Sequence, residues 1–569
     1  MKKTILKIVG IILTIVWAVM MLRSTAFPFI YILVATAGIL AIFFDKSSYK
    51  EHKALPIISG IILSGAVVLA NYGLYGSIFH NKILMLLAVL VVFAGGFAAF
   101  FAITKFAVGW TSSGGGLKKV SHKFRAGTVF WFAMAVIAII DLLVLFLCFY
   151  PGITSPDSMN QINQTYTGVY SNHHPVVHTM LIKICLMAGQ AVFGTANAGV
   201  CCYSVVQILL MSASFAYVIM TLYQMQLSYK VIIPFFICYA VLPYNIFYSF
   251  TMWKDVLFGA AMAVLITSMF RIMSGTGRSR VPNYILLAIS SVGTCLLRSN
   301  GWMAFAVMLV LAIFVLGKKN IKTLVIMAVA LVISLLIKGP VFNAMGISKP
   351  DILESLAIPM QQIARVLSEG EEITDEQRET LSNIADLDMI AEKYRWDTVD
   401  TFKDDIRNTG NPGYIEEHKS ELLKLYLEMA KQHPTTFLYA WIDQTKGYWN
   451  GGYNIWNWTR IEENDIGIER VTVSEPLANA MQDYAEAFNR VFILKPFISI
   501  GLCTWVILIL AAAGLAARKK ETLFAVPFIV IVLTLVIATP ISCEFRYTYA
   551  QFAAFPMVFC AILKRDSKD

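Results

Sequence analysis

Residues Tyr150 to His178, YPGITSPDSMNQINQTYTGVYSNHHPVVH, break into two long apolar runs with the chain's densest set of reactive groups. The stretch holds one carboxylate at Asp157, amides at Asn160, Gln161 and Gln164, and imidazoles at His173, His174 and His178. Pro151, Gly152 and Pro156 mark a turn-rich loop rather than a continuing helix, since proline removes a backbone donor and glycine opens positive φ. A carboxylate held where a helix leaves a bilayer is a candidate catalytic group. The plainer alternative is a solvated loop in which Asp157 caps the next short helix.

The runs on either side fix the class. Of the 569 residues, 57% are hydrophobic and only 14% charged, where a soluble domain carries about 25% charged residues. A mean hydropathy of +0.66 agrees. The composition predicts an all-α polytopic membrane protein. Its formal charge of +10 comes from short Lys/Arg clusters beside apolar segments, the distribution expected of cytoplasmic loops, so nucleic acid is not an expected partner. All nine cysteines fall in or beside apolar segments without a CxxC, which predicts neither a disulfide framework nor a thiolate metal site.

Taken in order, membrane-length runs fall at about 1–22, 27–44, 54–75, 82–104 and 127–149. Lys46, Lys50 and Lys53 form one basic loop between them, and Lys105, Lys118, Lys119, Lys123 and Arg125 form another. Placing both in the cytoplasm sends Tyr150–His178 to the outer face. The run Pro175–Phe193 carries His178, Lys183 and Gln190. If it crossed, Arg271, Arg278, Arg280, Lys318, Lys319, Lys322, Arg518, Lys519 and Lys520 would all be exported, so it is expected to lie along the interface. Later runs bring the total to about fourteen helices, with both termini cytoplasmic. The expected organisation is a transmembrane core over 127–338 with an external catalytic loop at 150–197, an extracytoplasmic domain over 339–490, and closing transmembrane helices over 491–569. The 339–490 region holds 27 of the 36 acidic residues against 14 basic ones. Its DEQRETLSNIADLDMIAEKY and SELLKLYLEMAKQH segments have the three-and-four spacing of amphipathic helices.

This topology puts further polar motifs on the outer side. They are Trp253-Lys254-Asp255 at a helix start, Arg298-Ser299-Asn300-Gly301 at a turn, and Glu544-Phe545-Arg546-Tyr547 at the last outer turn. Each has a local explanation: Lys254 snorkelling, Asp255 at a helix N-terminus, Arg298 at a helix C-terminus, and Glu544 with Arg546 as a local ion pair. Their shared face beside Asp157 points instead to one outward-facing site, in which cations neutralise charge developing on a phosphate leaving group.

SPDS followed by TG and HHP, with WKD, LLRSNG and EFRY downstream, resembles the GT-C superfamily of lipid-linked-sugar-dependent membrane glycosyltransferases, most closely an uncharacterised bacterial branch. The resemblance covers about residues 127 to 569, which makes 1–110 a transmembrane addition. It implies a polyprenyl-phosphate sugar donor, an envelope glycan, lipid or protein acceptor, and transfer on the extracytoplasmic side. It also implies Asp157 as the base that activates an acceptor hydroxyl, and Lys254, Arg298 and Arg546 as ligands of the donor phosphate. Many relatives carry an acidic pair near the first loop where this chain has Asp157 alone, which leaves a divalent metal, Mg or Mn, as an open point.

Apolar walls are expected to raise the Asp157 pKa into a useful range. Attack opposite the phosphate would invert the anomeric configuration. His174 is expected to join Asp157 in catalysis, while His173, His178, Gln161, Asp255, Asn300, Glu544 and Tyr547 are expected to bind substrate. HHPVVH is a weak zinc motif, without the glutamate of HExxH and with Pro175 disturbing the helix. Tyr448, Trp449, Tyr453, Trp456 and Trp458 fall in a Gly/Asn-rich run suited either to stacking on sugar rings or to anchoring at the interface. Asp141, inside the fifth run, would face either the site or a neighbouring helix. Three other readings compete: an envelope polymerase or ligase using a lipid-linked oligosaccharide, a transporter, for which no paired interrupted segments are visible, and a scaffold, which would tolerate Asp157→Asn.

Overall fold

The computed structural model describes residues 2–23, 27–44, 54–78, 81–113, 116–117, 119–276, 281–451 and 459–565. Lys46, Lys50, Lys53, Lys118, Arg278, Arg280, Tyr453, Trp456, Trp458 and the last four residues lie outside these ranges. Among the described residues the regular elements are helices, and pairing between extended segments is confined to isolated bridges.

Among the described residues eight helices are long and apolar enough to cross a membrane, or ten if each of two bent pairs is one crossing. The pairs are Ala54–Ala70 with Tyr72–Ile78 and Tyr229–Val241 with Pro243–Ser249. Large apolar side chains such as Ile83, Trp131, Ile139 and Phe314 point outward, as lipid-facing surfaces require. The chain is a multi-pass helical membrane protein.

The sequence expectation of fourteen crossings exceeds this count for a physical reason. The runs near 282–297 and 301–316 fold as Val281–Leu296 and Gly301–Leu316, each 16 residues. At about 1.5 Å per residue such a helix spans roughly 24 Å, short of a hydrocarbon core of about 30 Å. Val176–Phe193, expected along the interface, is one of the eight helices that pass the length and composition test.

The helix Lys254–Ser274 is the axis of the bundle, packed against Ala196–Gln224, Val281–Leu296 and Tyr549–Leu563. Hydrophobic positions surround it on every side, as in a helix enclosed by other helices. The first helices form their own cluster around Trp17, Tyr31 and Phe100, joined to the rest through Trp505. A polar clasp adds to this join: Tyr72 donates to Asp443 Oδ2 at 2.7 Å, and Asn450 Nδ2 donates to Tyr31 Oη at 3.1 Å.

Between the helical region ending at Ala344 and the helix Ile500–Ala516 lies a helical domain with its own apolar core, including Leu353, Ala364, Phe402, Ile406 and Met429. The first predicted amphipathic segment folds as two helices, Asp375–Ser382 and Leu387–Lys393, because Asp386 caps the second. The second folds as Lys419–Gln432. This domain grips the loop before the last helix: Val399 N donates to Pro540 O at 3.0 Å, Ser542 N to Asp397 O at 2.8 Å, and Tyr448 Oη to Ile541 O at 2.7 Å. Tyr448 and Trp449 therefore end the helix Pro434–Trp449 instead of lying in an open loop, and Tyr448 is fully buried.

Candidate active site

Two helix starts meet at the end of the bundle. The segment after the fifth apolar run pairs with the segment before Lys254: Ile153 N donates to Phe250 O and Met252 N to Ile153 O, both at 2.9 Å. Gly152 permits this approach. Its φ of +134° suits glycine, and an added Cβ would sit 2.2 Å from Ser204 Oγ and 2.9 Å from Phe250 O. The pairing lines up the first turn of Pro156–Thr167 with the first turn of Lys254–Ser274.

Ser155, not Asp157, caps the shorter helix, in a reciprocal capping box with Ser158. Ser155 Oγ also accepts from Trp253 Nε1 at 2.8 Å, and Ser158 Oγ donates to Met252 O at 2.7 Å. With the cap supplied by serine, the Asp157 carboxylate is left to face the second helix.

Asp157 Oδ2 accepts from Lys254 Nζ at 3.0 Å and from Arg546 Nη1 at 2.8 Å. Lys254 Nζ also reaches His174 Nδ1 at 3.2 Å. The Arg546 guanidinium lies 4.8 Å from the Trp253 ring centre and 5.3 Å from that of Tyr547, with Glu544 Oε1 3.5 Å from its Nε. Residues 157, 174, 254 and 546, far apart in sequence, thus share one cluster. Asp157 keeps 27% of its side chain exposed while its two cations are largely covered.

The electrostatics depart from the sequence expectation. Burial alone would raise the Asp157 carboxyl, but Lys254 and Arg546 outweigh it and hold it well below the usual carboxylate range. The raised carboxyl is Glu544, pushed up to about 7 by burial against the opposition of Arg546, with the Asp255 and Asp157 charges adding to the rise. Burial, then the Lys254 ammonium, lower His174 to about 2. His174 is therefore a neutral imidazole whose Nδ1 accepts from lysine, and its Nε2 carries the proton. It positions Lys254 and is not a cationic acid.

Other residues expected to touch substrate are turned inward. Arg298 Nη1 is committed to Asp255 Oδ1 at 2.6 Å and to the Tyr547 carbonyl at 2.8 Å, and its Nε to Asn300 Oδ1 at 2.9 Å. Asn300 in turn donates to Thr534. A guanidinium this buried needs its own counter-charge, which Asp255 supplies, so Arg298, Asp255 and Asn300 tie the start of Lys254–Ser274 to the backbone at Tyr547, next to Arg546. His178 and Gln161 are likewise interior. His178 Nδ1 lies 2.9 Å from Gln161 Oε1, and its Nε2 lies 2.6 Å from Tyr203 Oη, which donates to Gln207. The Tyr547 ring packs between the guanidiniums of Arg298 and Arg546. Asp141 is 3% exposed inside the bundle.

His173 makes a link that sequence reasoning missed. It lies 4.0 Å from Glu354, which also pairs with Lys403 at 3.1 Å and Arg407 at 2.8 Å. Glu354 sits about 180 residues further along, in an acidic domain where no motif sets it apart. The strand-like return of that domain also covers the loop, with Val471 N donating to Tyr150 O and Glu462 N to Thr154 Oγ1.

A divalent ion does not fit these residues. Asp157 Oδ2 is already shared by two cations, and among the described residues no group of three or more His, Cys, Asp or Glu side chains is placed to hold a metal. The arrangement suits an anionic ligand that exchanges with Asp157 for Lys254 and Arg546.

Residues 161–569 match the model of DUF6020, a family of unknown function. No curated protein and no solved structure matches the chain.

Proposed function

The chain belongs to the DUF6020 family, of unknown function, and we propose from its own residues that it transfers a sugar from a polyprenyl-phosphate donor to a cell-envelope acceptor outside the membrane. The observation that carries this reading is the sharing of Asp157 Oδ2 by Lys254 and Arg546, an ionised carboxylate between two cations at the bundle's end. A donor phosphate draws both cations to its oxygens. Asp157 then loses the charges that depress its pKa and becomes a stronger base.

In the transfer step the acceptor oxygen forms a bond to the anomeric carbon while its proton passes to Asp157. The bond from that carbon to the phosphate oxygen breaks, its electron pair stays on the phosphate, and Lys254 and Arg546 hold the resulting charge. Configuration inverts in the one displacement. His174 keeps Lys254 aimed, and Glu544 sets the charge around Arg546. No step uses a metal.

The same reading takes a GT-C-like architecture of about fourteen crossings, counting the short apolar helices as spans of a locally thinned bilayer, with both termini in the cytoplasm. The test compares lipid-linked sugars and surface glycans by mass spectrometry in cells carrying wild type or Asp157→Asn. The proposal expects a lipid-linked sugar to accumulate and a surface glycan to disappear in the variant. Unchanged profiles, with the variant present at wild-type level in the membrane, reject it.

A further inference from the structure

The acidic domain holds a half-open apolar cavity of about 370 Å³ whose lining includes none of Asp157, His174, Lys254 or Arg546. Protein interiors pack with few voids larger than a water molecule, and an apolar hollow of about 150 Å³ already stays dry and takes up benzene. A space more than twice that size, lined by residues such as Ala364, Leu381, Ile390, Phe402, Ile406 and Leu422, exceeds a packing defect. It falls within the range of ligand pockets, about 300 to 1,000 Å³.

Its lining also defines the ligand. The walls are hydrocarbon, and the polar groups among them are Ser355, Tyr426 and Lys419. Tyr426 Oη is already engaged, donating to Gln362 at 2.7 Å. Lys419, at the exposed start of Lys419–Gln432, is the single charged lining residue and forms no ion pair among the described residues. An apolar slot with one unpaired ammonium at its lip fits a chain-shaped apolar body that ends in an anion. The domain is joined at both ends to apolar helices, at Ile321–Ala344 and Ile500–Ala516, which tethers it to the membrane that holds such molecules.

We propose that this cavity binds the hydrocarbon chain of a membrane-derived lipid with a single anionic head, the chain among Ala364, Ile406 and Leu422 and the head at Lys419. The site stands apart from the Asp157 cluster and does not depend on the transfer reading. It has one structural route to that cluster: the turn Ile352–Ser355 contributes Ile352 and Ser355 to the cavity wall and Glu354 to the contact with His173.

The test uses the purified full chain in nanodiscs of phosphatidylcholine, with palmitate carrying a chain diazirine as probe and peptide mass spectrometry as readout. The expected result is photolabel on the peptides bearing Ile406 and Leu422, displaced by excess unlabelled palmitate. Ala364→Phe, which grows a ring into the slot, is expected to cut this label at least tenfold. Lys419→Glu, at an exposed position, is expected to weaken palmitate labelling severalfold while leaving labelling by the matching diazirine alcohol unchanged. A diazirine-bearing farnesyl phosphate run in parallel assigns the chain as acyl or prenyl, and label from either supports the site. Label confined to the membrane helices, or undiminished in both variants, overturns it. Asp157→Asn is expected to leave the labelling untouched, so failure of the transfer reading would be seen separately.

Discussion

Removing one cation from Asp157 has a calculable cost. Two unit charges about 3 Å apart at an effective dielectric near 20 attract by roughly 5 kcal/mol, and desolvation of the partners offsets much of that gain. Breaking a buried pair by deleting one partner costs about 3 to 5 kcal/mol. Arg546→Gln leaves Asp157 its contact with Lys254 at 3.0 Å, so a loss near the lower end, about 3 kcal/mol, is expected. Asp157→Asn leaves two covered cations facing each other and is expected to cost a similar amount. In the double variant the two losses share their cause, so it should be more stable than their sum by about 1 to 3 kcal/mol. Reversible unfolding in mixed SDS micelles, followed by tryptophan fluorescence, supplies the four corners of the cycle. Additivity within about 0.5 kcal/mol would show that Asp157 and Arg546 do not sense each other, and the site as described would fall. The coupling is also expected to hold at neutral pH and fade in acid. The folded Asp157 pKa is depressed, so its stabilisation is complete above the ordinary carboxylate range and is lost as pH falls through the folded value.

Two further pH effects have opposite signs. His174 titrates near 2 in the fold, against about 6.5 when free. The unfolded chain therefore binds the extra proton between those values, and stability falls as pH drops below about 6.5, by at most roughly 1.4 kcal/mol per unit. His174→Gln should flatten that slope, and identical slopes for variant and wild type would contradict the assignment. Glu544 titrates near 7 in the fold, against about 4.3 when free. Its contribution is complete below about 4.3 and is lost as pH climbs to 7, so Glu544→Gln should gain on wild type over that interval when the two melting curves are compared. Sidedness is open to labelling. A cysteine at exposed Glu372 should react with an impermeant maleimide in intact cells and one at exposed Lys520 only after permeabilisation; the reverse pattern would invert the orientation.

The sequence exposed the parts of the site whose residue types were out of place. Asp157 stands alone as a carboxylate between apolar runs, and WKD and EFRY are short polar breaks at helix ends, so Lys254 and Arg546 are legible as members of one cluster with it. Their pairing was not visible, and it reversed the sign of the Asp157 shift: burial was legible from the apolar flanks, whereas two cations on one oxygen depend on the Ile153–Phe250 pairing that only folding brings about. Arg298 looked like an open phosphate ligand because Asp255, 43 residues away, could not be seen to occupy it. The fourteen expected crossings and the eight to ten helices that pass a length test among the described residues differ because hydropathy marks apolar runs, while helices such as Val281–Leu296 and Gly301–Leu316 are shorter than a bilayer's thickness. Glu354 and the hollow core of the acidic domain carried no sequence mark, since amphipathic spacing reports which face is buried and not how tightly it packs.

The central claim is that Lys254 and Arg546 recognise a lipid-borne phosphate in exchange for Asp157. Its most direct measurement is equilibrium binding of a polyprenyl phosphate, with the matching polyprenol as control, to the purified protein and to Lys254→Met and Arg546→Gln. Preferential binding of the phosphate by wild type, reduced at least tenfold in each variant and leaving weak polyprenol binding unaltered, is the predicted result. Equal affinity of wild type for phosphate and alcohol, or phosphate binding untouched by both substitutions, would contradict it.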